Sequence, residues 1–191
     1  MGKSSKQKRH RAKHSEKPPK RHYVVAIGSN QALSSRLGPR AIVAAATLAL
    51  DRGPVRVRAI APTLRSRPVG PSARDYANSA VMVRTRLSPP ALLDHLRSVE
   101  AHFGRQRQRR WGARTLDLDI ILWEGGAVRS RSLTIPHPAL PSRDFVLKPV
   151  RALAAQWRHP TTGLAIAHLA ARNARPKRVD PKPVDRGGSR R

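Results

Sequence analysis

The spacing of apolar and polar residues changes several times along the chain, and each change marks an element. "YVVAIGSN" (23–30) is a β-rich apolar run closing on Gly-Ser-Asn, the pattern of a strand that stops in a turn. "AIVAAATLAL" (41–50) is the longest apolar run. With Pro39 at a first helical position ahead of it, it predicts a buried helix to about Asp51 that ends at Gly53-Pro54. "VRVRAIA" (55–61) alternates apolar and basic residues, the period of a half-buried strand. Residues 62–75, rich in Pro, Gly and Ser, read as a loop, and "YANSAVMVRTRL" (76–87) reads as another strand. Ser88 and Pro89 open a second helix, in which Leu92, Leu93, Leu96, Val99 and Phe103 follow helical spacing and which Gly104 ends. "RQRQRRWGAR" (105–114) has no apolar face and reads as a loop. "TLDLDIILW" (115–123) is the best strand pattern in the chain. Residues 133–154 hold a Pro-bounded loop running into a short helix, and "GLAIAHLAAR" (163–172) is a weak last helix.

Strand, helix, strand, strand, helix, strand is the split βαβ plan. The predicted fold class is α+β, an α/β sandwich with a ferredoxin-like βαββαβ core and extra C-terminal elements. A chain of 191 residues with 39% hydrophobic content is enough for one compact domain. Such a fold does not by itself give a function.

Charge adds a second layer. The formal net charge is +28. Residues 1–22 hold nine Lys/Arg against one Glu, and residues 172–191 hold eight against two Asp, so the two ends carry half of it. Composition predicts basic, disordered tails at 1–22 and 172–191 around a domain at 23–171. So much positive charge favours polyanions, and weak nucleic-acid binding by the tails follows without any dedicated site. With no cysteine, disulfides, thiol catalysis and Cys-ligated zinc are excluded. No stretch approaches the ~20 apolar residues of a membrane span, and the charged N-terminus is not followed by an apolar signal core. A cytoplasmic protein without membrane attachment is the default expectation.

The strand at 115–123 poses the chemical question. Alternation sets Leu116, Leu118, Ile120 and Leu122 on one face and Thr115, Asp117, Asp119 and Ile121 on the other. The two carboxylates are then ~6–7 Å apart along the strand and repel unless cations neutralise them. Neighbouring arginines are one answer. Divalent metal is another, because Mg²⁺ takes one or two carboxylates plus substrate phosphate. Five arginines between 105 and 114 exceed what two carboxylates need, and nucleotide phosphates would satisfy both the metal and the guanidinium groups. There is no glycine-rich P-loop, and "GSN" at 28–30 is not one. Tyr76, Asn78 two positions later, and Phe145 could hold a flat heterocycle by stacking and edge hydrogen bonds. The rival reading is a non-enzymatic RNA-binding protein on a ferredoxin-like scaffold. It has two strand aspartates that would repel a phosphate backbone, and no strand with stacked aromatics.

"VAIGSN", "YANSAV", "GRQRQRRWGARTLDLDIILW" and "IPHPALPSRDFVLKPV" closely resemble the signatures of the 6-hydroxymethyl-7,8-dihydropterin pyrophosphokinase family, co-linear over roughly 23–170. The resemblance implies a folate-biosynthesis enzyme, a monomer, that transfers pyrophosphate from ATP to a reduced pterin with two Mg²⁺ ions and releases AMP. It implies metal binding by Asp117 and Asp119 and catalytic roles for these two with Arg105 and Arg114. It assigns Glu100, Arg107, Arg110, Trp111, Ile120, Thr134, His137 and Arg143 to ATP. Tyr76, Asn78 and Phe145 are assigned to the pterin, with Ser66, Val69 and Gly70 at the edge of that pocket.

Overall fold

The computed structural model describes residues 17–67, 74–104 and 114–175. Stretches of period two form a sheet. β1 (Arg21–Ser29) is central, antiparallel to β4 (Tyr76–Thr85) on one side and to β5 (Asp117–Trp123) on the other. β2 (Val55–Ile60) pairs with the far side of β4, so the order is β2-β4-β1-β5. A further strand, β3 (Leu64–Ser66), also pairs with β4, within a segment whose composition reads as loop. Three residues are too few for an alternation to register. β6 (Val128–Arg129) and β7 (Thr134–Ile135) make a separate two-stranded ribbon.

Helices cover both faces. α1 (Pro39–Leu50) and α2 (Pro89–His102) begin with Pro in the first turn, as expected. Gly104, at φ 69°, follows the end of α2. Ser88 occupies the cap position of α2, but its hydroxyl makes no capping bond. α3 (Asp144–Ala154) and α4 (Ile166–Asn173) follow the ribbon. Val25, Ile27, Val81, Leu118 and Ile120 pack with Ile42, Leu50, Leu92 and Leu96 of α1 and α2 in one apolar cluster. Val24, Ala80, Ile121 and Leu122 pack with Leu147, Val150 and Ile166 of α3 and α4 in another. Fully burying one such Leu contributes about 1.5–3 kcal/mol.

β5 departs from uninterrupted alternation. Leu122, expected beside Leu116, Leu118 and Ile120, lies in the α3/α4 cluster together with Ile121. The β1–β5 register slips between Val24 and Val25, opposite this point. Such a β-bulge turns two successive side chains to one side. It falls after Asp119, so the alternation that pairs Asp117 with Asp119 is intact. One polar link joins helix to strand beneath them: Glu100 of α2, only 5% exposed, accepts the Leu118 amide N–H through Oε1 at 2.7 Å.

Candidate active site

Register brings three residues into a row across the sheet. Gly28 of β1 is opposite Asn78 of β4 on one side and Asp117 of β5 on the other. A Cβ at Gly28 would approach Asn78 Oδ1 to 3.3 Å and Asp117 Cβ to 3.9 Å, so glycine leaves the floor of this row bare. Above it opens a cavity of ≈ 310 Å³, room for a bicyclic heterocycle. Its acidic side is lined by Asp117 and Asp119, and the opposite side by Ser66, Tyr76 and Asn78. His137, Arg143 and Phe145 close it from the segment leading into α3.

Arg114 sets the electrostatics of the acidic side. Its Nη1 donates to Asp117 Oδ2 at 2.6 Å. Its pKa is raised above the ordinary guanidinium value, chiefly by the Asp117 charge and against the opposing effect of burial, with further help from the bond to Asp117 and the charge of Asp119. Asn30, 2% exposed, fixes its backbone twice: Asn30 Oδ1 accepts the Arg114 N–H at 2.7 Å, and Asn30 N–H donates to Arg114 O at 3.1 Å. "GSN" is therefore no phosphate loop; it supplies the bare floor and an anchor for Arg114.

On the other walls, Arg143 precedes α3 with its guanidinium carbon 5.8 Å from the Phe145 ring centroid, a cation–π contact. His137 Nδ1 accepts the Ala139 N–H at 3.1 Å, which leaves Nε2 as the nitrogen bearing the proton in the neutral ring. That tautomer donates to an anion or hydroxyl and cannot act as a base through Nε2. Among the described residues no cluster of three or more His, Asp or Glu ligands occurs. Two carboxylates facing one cavity match the donor set of Mg²⁺, whose remaining positions go to water and phosphate oxygen.

Of the residues expected at the site, the cavity brings together Ser66, Tyr76, Asn78, Arg114, Asp117, Asp119, His137, Arg143 and Phe145. Val69, Gly70, Arg105, Arg107, Arg110 and Trp111 lie outside the described residues. Glu100, Ile120 and Thr134 do not line the cavity. Ile120 belongs to the apolar cluster on the other face, the Glu100 carboxylate holds the Leu118 amide, and Thr134 is exposed on β7. Gly28, Arg67 and Ser79 line the cavity without having been anticipated, as do the apolar Ala26 and Ile121. Ala26, Gly28 and Ile121 were open to discovery, because strand parity puts them on the aspartate face.

A sheet with helices on both faces and a carboxylate–arginine cavity at one end defines an α/β protein equipped for phosphate chemistry. The sequence profile of the 7,8-dihydro-6-hydroxymethylpterin-pyrophosphokinase (HPPK) family matches residues 24–155, and the chain belongs to that family. Curated proteins named 2-amino-4-hydroxy-6-hydroxymethyldihydropteridine pyrophosphokinase are similar to it. The protein from Pseudomonas aeruginosa is 40% identical over 71% of this chain and 82% of its own length. The one from Methylorubrum extorquens is 35% identical over 81% and 94%. The one from Synechocystis sp. is 44% identical over 66% of this chain, but the match spans 64% of that protein's length. A crystal structure of Plasmodium falciparum HPPK-DHPS superposes with a TM-score of 0.64 at 12% identity, over 83% of this chain and 42% of that one, a likeness of fold. A non-enzymatic RNA-binding protein finds no support in these relationships.

Proposed function

We propose that this chain transfers a diphosphate group from ATP to the hydroxymethyl oxygen of 6-hydroxymethyl-7,8-dihydropterin, in folate biosynthesis. The observation that carries this reading is one cavity with two carboxylates and Arg114 on one side and Tyr76, Asn78 and Phe145 on the others. The hydroxymethyl oxygen attacks the β-phosphorus, the bond from that phosphorus to the α–β bridging oxygen breaks, and AMP leaves. Tyr76 and Phe145 hold the ring between them, and Asn78 reads its edge. Asp117 and Asp119 would hold Mg²⁺, two ions on this reading, which when bound neutralises triphosphate charge and lowers the pKa of the hydroxyl. Arg114, kept charged by its acidic neighbours, meets the charge that grows on the transferred and leaving phosphates. Arg105 is assigned the same role, and Arg107, Arg110 and Trp111 are assigned to ATP.

The antiparallel order β2-β4-β1-β5 supports a ferredoxin-like description of the core. A monomeric cytoplasmic protein with one catalytic domain over 23–171, whose basic ends bind nucleic acid weakly, completes the proposal. Among the described residues no helix is long and apolar enough to cross a membrane.

The test is to mix protein, Mg²⁺, ATP and the reduced pterin and to separate the nucleotides by chromatography. AMP appearing in proportion to pterin consumed is the expected result. ADP as the product, or AMP formed without pterin, would overturn the reading.

A further inference from the structure

β3 is only three residues long and lies off the main path of the sheet, yet it is tied to β4 in two ways. Pairing sets Leu64 opposite Asn78 and Ser66 opposite Tyr76. Next to it, Arg65 Nε donates to Asp75 Oδ2 at 2.6 Å, joining the strand to the residue just before β4. This small ladder delivers one contact into the cavity: Asn78 Nδ2 donates to Ser66 Oγ at 2.8 Å. Asn78 is 7% exposed, and its Oδ1 lies on the Gly28 side, where an added Cβ would come within 3.3 Å. The final torsion of an Asn side chain is broad. Without a fixed partner the amide turns and carries its donor and acceptor away from any ring docked against it.

We propose that Ser66 is a positioning residue for the heterocycle: its hydroxyl, bonded to Asn78 Nδ2, fixes the amide plane against which the ring edge docks. This rests on the reading that Asn78 contacts the pterin. The acidic side of the cavity lies across Gly28 from this pair. Loss of the hydroxyl therefore weakens binding of the heterocycle and leaves ATP and the phosphoryl step alone.

Ser66→Thr and Ser66→Val separate hydrogen bonding from packing, because the two side chains have nearly the same shape and both suit a strand. Steady-state turnover and fluorescence titration with the reduced pterin would be measured for each. Ser66→Thr is expected to keep the pterin KM within about twofold of the parent, and Ser66→Val to raise it about tenfold, the scale of one lost hydrogen bond to a buried amide. In both variants kcat and the KM for ATP should stay within about twofold. In an Asn78→Ala background, Ser66→Val should add nothing, because the hydroxyl acts through that amide. Equal pterin KM values for Thr and Val, or additive effects in the Asn78→Ala background, overturn the proposal while turnover by the parent protein leaves the reaction standing. A parent protein that forms no AMP overturns the reaction, and the proposal with it.

Discussion

At the scale of single residues, the site is an exercise in managing charge. Asp117 and Asp119 share one face of β5 and one cavity. In the protein without nucleotide, Arg114 already neutralises Asp117. A docked Mg²⁺–triphosphate offers the carboxylates cations and offers Arg114 an anion, so both groups can exchange partners without an unpaired charge appearing. Asp117→Asn should therefore lower turnover by about 100-fold or more, the loss seen when one charge-stabilising group is removed. Stability should change by less than about 1 kcal/mol, because the pair with Arg114 is solvent-accessible. Turnover assays and urea unfolding on the same variant check both halves. Turnover near the parent level would remove the metal assignment. These carboxylates were legible in the sequence because strand parity alone puts them side by side. Arg114's anchor was not. Asn30 and Arg114 are 84 residues apart, and their bonds depend on β1 and β5 being neighbours in the sheet.

At the scale of elements, helical and strand periods foretold α1, α2 and most of the sheet, because each buries one face against a core. They failed where a local irregularity changes the period. The bulge that sends Leu122 to the α3/α4 face leaves no mark in the run "DIILW". Nor does the pattern reveal that Glu100 faces inward from α2 to accept the Leu118 amide. That bond ties α2 to the strand of the aspartates, so its loss is an element-level event. Glu100→Ala strands a buried N–H and should cost about 1–3 kcal/mol in urea unfolding, while Glu100→Gln, which keeps an acceptor oxygen, should cost less. Equal losses in the two variants would assign the effect to charge and not to the hydrogen bond. A second joint is Tyr23 of β1, fully buried, stacked on Trp123 of β5 at 5.8 Å and donating its hydroxyl to Leu87 O at 2.8 Å. Burial pushes its pKa up from 10.0 to about 12, the Arg21 charge opposing and Glu124 adding to it. The phenol is neutral in both folded and unfolded chains below pH 10, where its contribution to stability is fully present. Between pH 10 and about 12 the unfolded chain ionises first, and stability falls as pH rises. Tyr23→Phe should flatten that decline in pH-dependent unfolding; an unchanged slope would place the alkaline loss elsewhere.

At the scale of the whole molecule, the question is how a chain of net charge +28 divides its labour. The elements begin with Arg21 of β1 and end with Asn173 of α4. Residues 1–16 and 176–191 lie outside the described residues and contribute twelve Lys/Arg against three acidic residues. The cavity draws nothing from either segment. Substrate binding at the cavity and long-range attraction to polyanions are therefore separable properties. The first depends on fixed geometry across β1, β4 and β5, and the second on charge count. Removing 1–16 and 176–191 together should leave AMP formation within about twofold of the full chain. Binding to an unstructured RNA should weaken, with a shallower dependence on salt, because each lost phosphate contact reduces the slope of log K against log salt by about 0.7 for single strands. Filter binding between low and physiological salt reads the slope, and the nucleotide assay reads the chemistry. If shortening abolished AMP formation while the remaining chain stayed folded, the basic ends would belong to the catalytic machinery. The charge would then serve the triphosphate and not a separate polyanion.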